Sequence, residues 1–254
     1  MDIFMQLLII CPLVFFAGLV DSIAGGGGII SLPAYIAAGV PAHLALGTNK
    51  FASCIGTSVA TFRFIKNGKL HITAALAAVS AALIASPLGA LLALRVSEAF
   101  LRYVLLGLLP VLAFFILSKK GFREDGAANK HSRSTIIRLS LAAGFCIGMY
   151  DGFFGPGTGT FLILIFNIII GFDLLTASGN AKAVNLASNL AALITFLLSG
   201  AVLFRLAIPA ALFGIAGNYI GAGLALKKGA RIIRPLFVVV LALLMAKLLF
   251  DVFA

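Results

Sequence analysis

Gly18-Leu-Val-Asp21-Ser-Ile-Ala-Gly25-Gly-Gly27-Gly28 stands near the start of the chain, and Gly148-Met-Tyr-Asp151-Gly-Phe-Phe-Gly155-Pro-Gly157-Thr158 answers it in the second half. Phe15 and Phe145 agree in the same register. Beyond a two-residue difference in a turn, Gly47/Gly179, Lys50/Lys182, Gly68/Gly200, Gly89/Gly221 and Arg102/Arg234 coincide as well. Gly and Leu match cheaply in such a composition, but a matched Asp and a matched Lys inside apolar runs do not. The chain therefore reads as an internal duplication.

Composition says where that duplication lives. Apolar residues make up 62% of the 254 and charged residues 11%, against about 45–50% and about 25% in soluble domains. A soluble core of this size cannot hide so much apolar surface. A spanning helix takes about 20 residues, so the chain holds roughly ten such segments. The expected fold is all-α, a polytopic helical membrane protein. A soluble enzyme, a disulfide scaffold and a nucleic-acid module are excluded. Cys11, Cys54 and Cys146 sit in apolar stretches without metal or redox spacing and are expected as buried small hydrophobes. The apolar start, 1–20, lacks a basic n-region and is kept as part of the fold.

Each half divides into five apolar segments, about 3–20, 29–40, 45–65, 72–94 and 100–117, then 136–150, 159–172, 181–198, 203–226 and 232–253. Residues 1–117 thus form one transmembrane repeat and 136–254 the other. The polar stretch 118–135 between them is a cytoplasmic linker. Within each half the first two segments are short and separated by the glycine-rich tip. Glycine, and Pro156, interrupt a helix there. Bare backbone at bilayer depth survives only where protein or a water cavity satisfies it, so a broken or re-entrant hairpin followed by three spanning helices is expected.

Orientation follows from the basic residues. The connections 63–71, 118–138 and 227–234 carry three, six and four Lys/Arg, thirteen of the chain's nineteen. Such loops stay in the cytoplasm. Both termini then lie outside, and the two halves insert upside down relative to each other. That arrangement places a binding site at the midplane between broken helices.

Few ionisable groups lie inside the apolar segments: Asp21, Lys50, Asp151, Lys182 and Lys247. Each costs about 2.5–3.5 kcal/mol at a helix centre and needs a partner or a polar cavity. Lys247, four residues before Asp251, is expected to snorkel or pair with it. Lys50, Ser53 and Thr57 share one helical face, as do Lys182, Asn185 and Asn189. Thr48, Asn49 and Asn180 lie beside them. Gly27-Gly28 and Gly157-Thr158 begin the second half-helices, where free N–H groups and the dipole favour an anion. The expected substrate-binding set is Gly27, Gly28, Thr48, Asn49, Lys50, Ser53, Gly157, Thr158, Asn180, Lys182, Asn185 and Asn189. The four buried charges cancel when the site is empty. A monoanion entering alone leaves a net negative charge, so Asp21 or Asp151 is expected to take up a proton with it.

Enzyme signatures are missing. His43, His71 and His131 stand in separate connections, without paired-ligand spacing, and are read as solvated. Neither a nucleophile elbow nor a Cys/His pairing occurs. No cofactor, metal or nucleic acid is assigned.

The Asp21–Gly28 tip, Ala45-Leu-Gly47-Thr48-Asn49-Lys50 and their second-half counterparts resemble the TauE/SafE family of sulfite exporter-like permeases. The resemblance runs from about Leu8 to Leu249. It implies movement of sulfite, a sulfonate or a similar small organic anion across the bacterial cytoplasmic membrane. The second half departs from the pattern, with Ser178-Gly179-Asn180-Ala181-Lys182 where the first has Gly-Thr-Asn-Lys. The leading expectation is a secondary anion transporter, proton-linked. The alternatives are a membrane-embedded assembly subunit or lipid-handling enzyme, in which the charges only hold helices together, and a passive anion channel. A homo-oligomer is left open.

Overall fold

Hydrophobic runs of this length leave helix as the only open-ended way to satisfy backbone polar groups in lipid. The computed structural model describes residues 1–97, 100, 131–229, 231–233 and 235–236, and among these every regular element is helical. The first half contributes α1 (Ile3–Ala24), α2 (Gly28–Ala37), α3 (Ala42–Lys66) and α4 (Ile72–Arg95). The second contributes α5 (Arg133–Phe153), α6 (Thr158–Leu164) running into a π-helical turn (Ile165–Ile169), α7 (Leu174–Leu198) and α8 (Phe204–Lys228). The first four segments of each half are thus realised, and α5 begins inside the stretch read as linker. The fifth segments, with Lys247 and Asp251, fall almost entirely outside the described residues.

Local chemistry sets the helix ends. Asp173 caps α7, its carboxylate accepting from the Leu175 and Thr176 N–H groups at 3.1 Å each. Ser132 accepts from Thr135 N–H at the start of α5. Gly25, at φ +75°, closes α1 and donates to the Asp21 carbonyl at 2.8 Å. That left-handed turn is what sends the chain back into α2.

Both tips belong to hairpins that return to the side they left. Gln6, in the first turns of α1, donates to the Ala38 carbonyl just beyond α2 at 3.0 Å. His131, just before α5, meets the Ile169 carbonyl at the end of the π turn at 3.1 Å. Each tip is therefore the bend of a helical hairpin whose two ends lie together. His43 bridges to the Ala93 and Val96 carbonyls, and His71 caps α4 through Ala74 N–H while stacking on Phe172. The three histidines act as clips between segments.

Packing repeats across the halves. α1 lies along α8, and α5 lies along α4, each pair running parallel through small residues. Gly18 faces Gly214 as Gly148 faces Ala82, and Gly221 meets Leu19 as Gly89 meets Met149. Such close backbone approach replaces the missing hydrophobic drive between helices in lipid. α3 and α7 cross in the centre and run antiparallel: Gly47 abuts Ala201 beyond the end of α7, and Gly179 abuts Lys69 beyond the end of α3. Among the described residues five helices (α1, α4, α5, α7, α8) are long and apolar enough to cross a membrane. α3 is equally long but carries too many polar groups to meet that measure. Phe4, Leu8, Phe16, Leu76, Ile84, Leu198 and Leu212 point outward, as a lipid-facing surface requires. Cys11 and Cys54 are buried as expected, whereas Cys146 lies exposed on the outer face of α5. The protein is a multi-pass membrane protein.

Candidate functional site

The two tips touch: Gly25 packs against Gly159, and Gly28 against Pro156. Thr160 secures the contact, its hydroxyl donating to the Ala24 carbonyl at 3.1 Å and to that of Gly25. Asp21 stands in the last turn of α1 and Asp151 in the last turn of α5. Each reaches the lysine of the other half. Lys50 Nζ lies 2.7 Å from Asp151 Oδ2, and Lys182 Nζ lies 2.7 Å from Asp21 Oδ2. Two crossed ion pairs therefore tie the halves together. Lys50 and Lys182 each sit eight residues into their helices, about 12 Å from the helix start. Since α3 and α7 are antiparallel, the two ammonium groups flank the tips from opposite ends.

Glycine admits them. A Cβ at Gly155 would sit 3.3 Å from Lys50 Nζ, and one at Gly159 would sit 3.5 Å from Lys182 Nζ. Gly155 also holds φ +97°, where a side chain would strain the turn.

The pairs are unequal. Asp151 is 2% exposed and, besides Lys50, accepts from the Thr158 hydroxyl at 2.8 Å and the Ser188 hydroxyl at 2.6 Å. Asp21 is 14% exposed and adds to Lys182 only a long contact from Gly27 N–H at 3.4 Å. The duplication explains the difference. Thr158 and Ser188 correspond to Gly28 and Gly56 in the first half, which offer no hydroxyl. Asn189, whose Oδ1 accepts from Lys50 at 2.9 Å, corresponds to Thr57. One carboxylate is saturated with donors and the other is open.

Two adjoining polar hollows border the open one. The first, about 30 Å³, is lined by Asp21, Gly28, Asn49, Lys50, Ser53, Thr57, Asp151, Gly155, Asn185 and Asn189. The second, about 20 Å³, lies between α1, α2, α3 and α8 and shares Asp21, Asn49, Ser53 and Thr57 with it. Gly27, Ser31 and Asn218 add to its wall. Lys50 has three N–H donors; Asp151 and Asn189 take two, which leaves one for a ligand.

Not every residue expected at the site reaches it. Lys182 is fully buried behind Asp21 and lines neither hollow. The Thr48 hydroxyl accepts from Leu203 N–H at 3.0 Å, joining α3 to the start of α8. Asn180 donates to Thr176 within its own helix. Gly157 and Thr158 shape the second tip, with the Thr158 hydroxyl spent on Asp151. Asn218 and Ser31 escaped notice in the sequence. Asn218 accepts from the Ser22 hydroxyl at 2.7 Å and stands among Gly214, Gly217 and Gly221. A lone Asn inside a small-residue stripe was the available signal. Among the described residues no cluster of His, Cys, Asp and Glu could hold a metal.

Comparison with known proteins bears on the same architecture. No solved structure matches the chain. The probable membrane transporter protein YfcA of Escherichia coli K12 is 37% identical over 264 residues, covering 99% of this chain and 95% of that protein. A probable membrane transporter protein, ORF9, from a Sinorhizobium species is 39% identical over 237 residues, 93% of this chain and 90% of that one. One from Haemophilus influenzae is 34% identical over 253 residues, 99% and 98% of the two chains. A family model described as Sulfite exporter TauE/SafE matches residues 10–248. With its crossed helix hairpins and multi-pass fold, the chain belongs to the TauE/SafE family of membrane transporters.

Proposed function

We propose that this protein is a proton-linked secondary transporter of a small anion, with its two halves inverted in the bacterial cytoplasmic membrane and its site in the hollow between the hairpin tips. The observation that carries this reading is the wall of that hollow: one buried ammonium with a spare donor, amides from Asn49, Asn185 and Asn189, hydroxyls from Ser53 and Thr57, and one open carboxylate. A space of about 30 Å³, room for about two waters, suits displacement by a small oxyanion and excludes a lipid chain or a peptide. Inversion is supported by the antiparallel run of α3 and α7, which are counterparts in the duplication.

Proton linkage falls to Asp21. A proton on its carboxylate cancels the charge that holds Lys182, so the freed ammonium raises the potential beside the tips as the anion arrives. Net charge in the core is then unchanged. Asp151, held by Lys50 and two hydroxyls, keeps Lys50 aimed at the hollow. Transport needs that difference in dielectric surroundings to be preserved, since charges in a low-dielectric interior interact far more strongly than in water.

The family description makes sulfite the first probe. In proteoliposomes, Ser53→Val and Asn185→Leu fill or strip the hollow while leaving both ion pairs intact. Sulfite and sulfonate flux is expected to fall at least about tenfold, the cost of one lost charge-assisted or amide hydrogen bond, with the variants still monodisperse. Parent-like flux in both variants would remove the hollow from the pathway.

A further inference from the structure

A groove between α3 and α8, remote from the tips, has a graded lining. Lys66 and Asn67 stand at its mouth, Arg63 one turn deeper, and Val59, Phe62 and Ser58 deeper still, with Tyr219 across from them. Its volume is about 660 Å³. Arg63 is held in place. Its Nη1 donates to the Tyr219 carbonyl at 2.5 Å, and its guanidinium lies 4.2 Å from the centre of the Tyr219 ring. Gly223 leaves room for it, since a Cβ there would sit 3.0 Å from both terminal nitrogens. One bond occupies one of five donors, which leaves four for a ligand. Phe62 is 66% exposed and Tyr219 57% exposed, so much of each ring is open to a partner.

The duplication supplies a control within the molecule. Counterparts of Ser58, Phe62, Arg63, Lys66 and Tyr219 are Leu190, Ile194, Thr195, Leu198 and Pro87. The matching groove between α7 and α4 is therefore without a cation. Lipid contact alone needs only the apolar version, and with the halves inverted as proposed the two ends face opposite sides, so the cations mark the cytoplasmic end, where anionic head groups meet them.

We propose that the α3–α8 groove is a binding site for an anionic phospholipid, phosphatidylglycerol or cardiolipin in chemistry. Its phosphate sits on Arg63 and Lys66, and an acyl chain runs along Val59 and Phe62. The order of the lining fits that occupant: the charged end is at the helix terminus, and about 12 Å of helix, from Lys66 back to Ser58, continues as apolar wall. Basic pockets between membrane helices on the positive side of the bilayer bind such head groups. Further basic residues, Lys227 and Lys228, lie at the same end, in the last turn of α8, so the local potential attracts the same sign.

The test is native mass spectrometry of the full chain, delipidated in a neutral detergent and titrated with phosphatidylglycerol, phosphatidylcholine or glycerol 3-phosphate. The parent is expected to retain phosphatidylglycerol in preference to phosphatidylcholine. Affinity should fall about fivefold in Arg63→Gln and about thirtyfold in Arg63→Gln/Lys66→Gln. Lys227→Gln/Lys228→Gln, on the same end but outside the groove lining, should keep most of the binding. Equal loss in that control would mean diffuse surface charge and would overturn the site. Equal retention of phosphatidylcholine, or full competition by glycerol 3-phosphate, would overturn it as well. Size-exclusion profiles matching the parent guard against a folding effect.

Discussion

At the residue scale, the duplication has diverged where it matters most. Asp21 and Asp151 occupy equivalent positions, yet three substitutions around them decide their behaviour: Gly28 against Thr158, Gly56 against Ser188, and Thr57 against Asn189. Asp151 accepts from two hydroxyls, whereas the carboxylate of Asp21 borders the hollow. Removing one partner of a buried ion pair leaves an uncompensated charge at about 3–5 kcal/mol. Asp151→Asn strands Lys50 and is expected to lower thermal stability by that order. Asp21→Asn strands Lys182, which is fully buried with Asp21 as its acceptor, whereas Lys50 keeps Asn189, so it is expected to cost at least as much. The two should separate in function. Parent flux is expected to rise as the pH on the substrate side falls, because the unprotonated Asp21 holds Lys182. Asp21→Asn mimics the protonated form and should make flux independent of pH between 5 and 8, whereas any folded Asp151→Asn protein should keep the parent's pH slope. A pH-dependent Asp21→Asn would remove Asp21 as the proton carrier.

Among the elements, the parallel pairs α1–α8 and α4–α5 are held by backbone contact through glycine and alanine. Gly144 shows how tight this is: a Cβ there would overlap the Ala78 carbonyl. Gly144→Ala is expected to push α4 from α5 and destabilise by about 1–3 kcal/mol. Gly214 sits on the equivalent seam, but a Cβ there meets only ordinary contacts at 3.5 Å and 3.7 Å. Gly214→Ala is expected to be neutral or to stabilise by up to about 1 kcal/mol, since alanine is the better helix former. Thermal unfolding in detergent distinguishes them, and a reversed order would contradict the seam. Sequence spacing made these elements readable. Long apolar runs, glycine punctuation at Gly25–Gly28 and Gly155–Gly159, and matched Asp and Lys announced eight of the helices and both hairpins. The i, i+3, i+7 spacing put Lys50, Ser53 and Thr57 on one face, and that face lines the hollow. What spacing does not carry is partner choice. Periodicity along α3 and α7 is alike, so it places Lys182 and Lys50 equivalently; only the packed tips show Lys182 covered by Asp21 and Lys50 left with a free donor. Thr48 and Asn180 went the same way, their polar ends taken by Leu203 and Thr176.

For the whole molecule, the contact between the tips is the obstacle to the transport proposed above. Among the described residues Gly25 packs against Gly159 and Gly28 against Pro156, with the polar hollows beside the ion pairs. On that proposal an anion seated by Lys50 crosses only if one hairpin withdraws from the other, which is a rocking of halves around a fixed site. The crossed ion pairs make such a motion coupled, because α1 cannot leave α7 without breaking Asp21–Lys182, and α5 cannot leave α3 without breaking Asp151–Lys50. A disulfide between the tips tests this directly. A Cβ at Gly28 would lie 3.1 Å from the Pro156 Cα, within the reach of a disulfide. In a background with Cys11, Cys54 and Cys146 replaced by alanine, Gly28→Cys/Pro156→Cys is expected to lose flux when oxidised and to regain it with dithiothreitol. Thermal stabilisation by the bound anion should persist in the oxidised form, since the hollow is already formed. Flux that continues through the oxidised protein would mean a standing pore, and the molecule would then be a channel and not a rocking carrier.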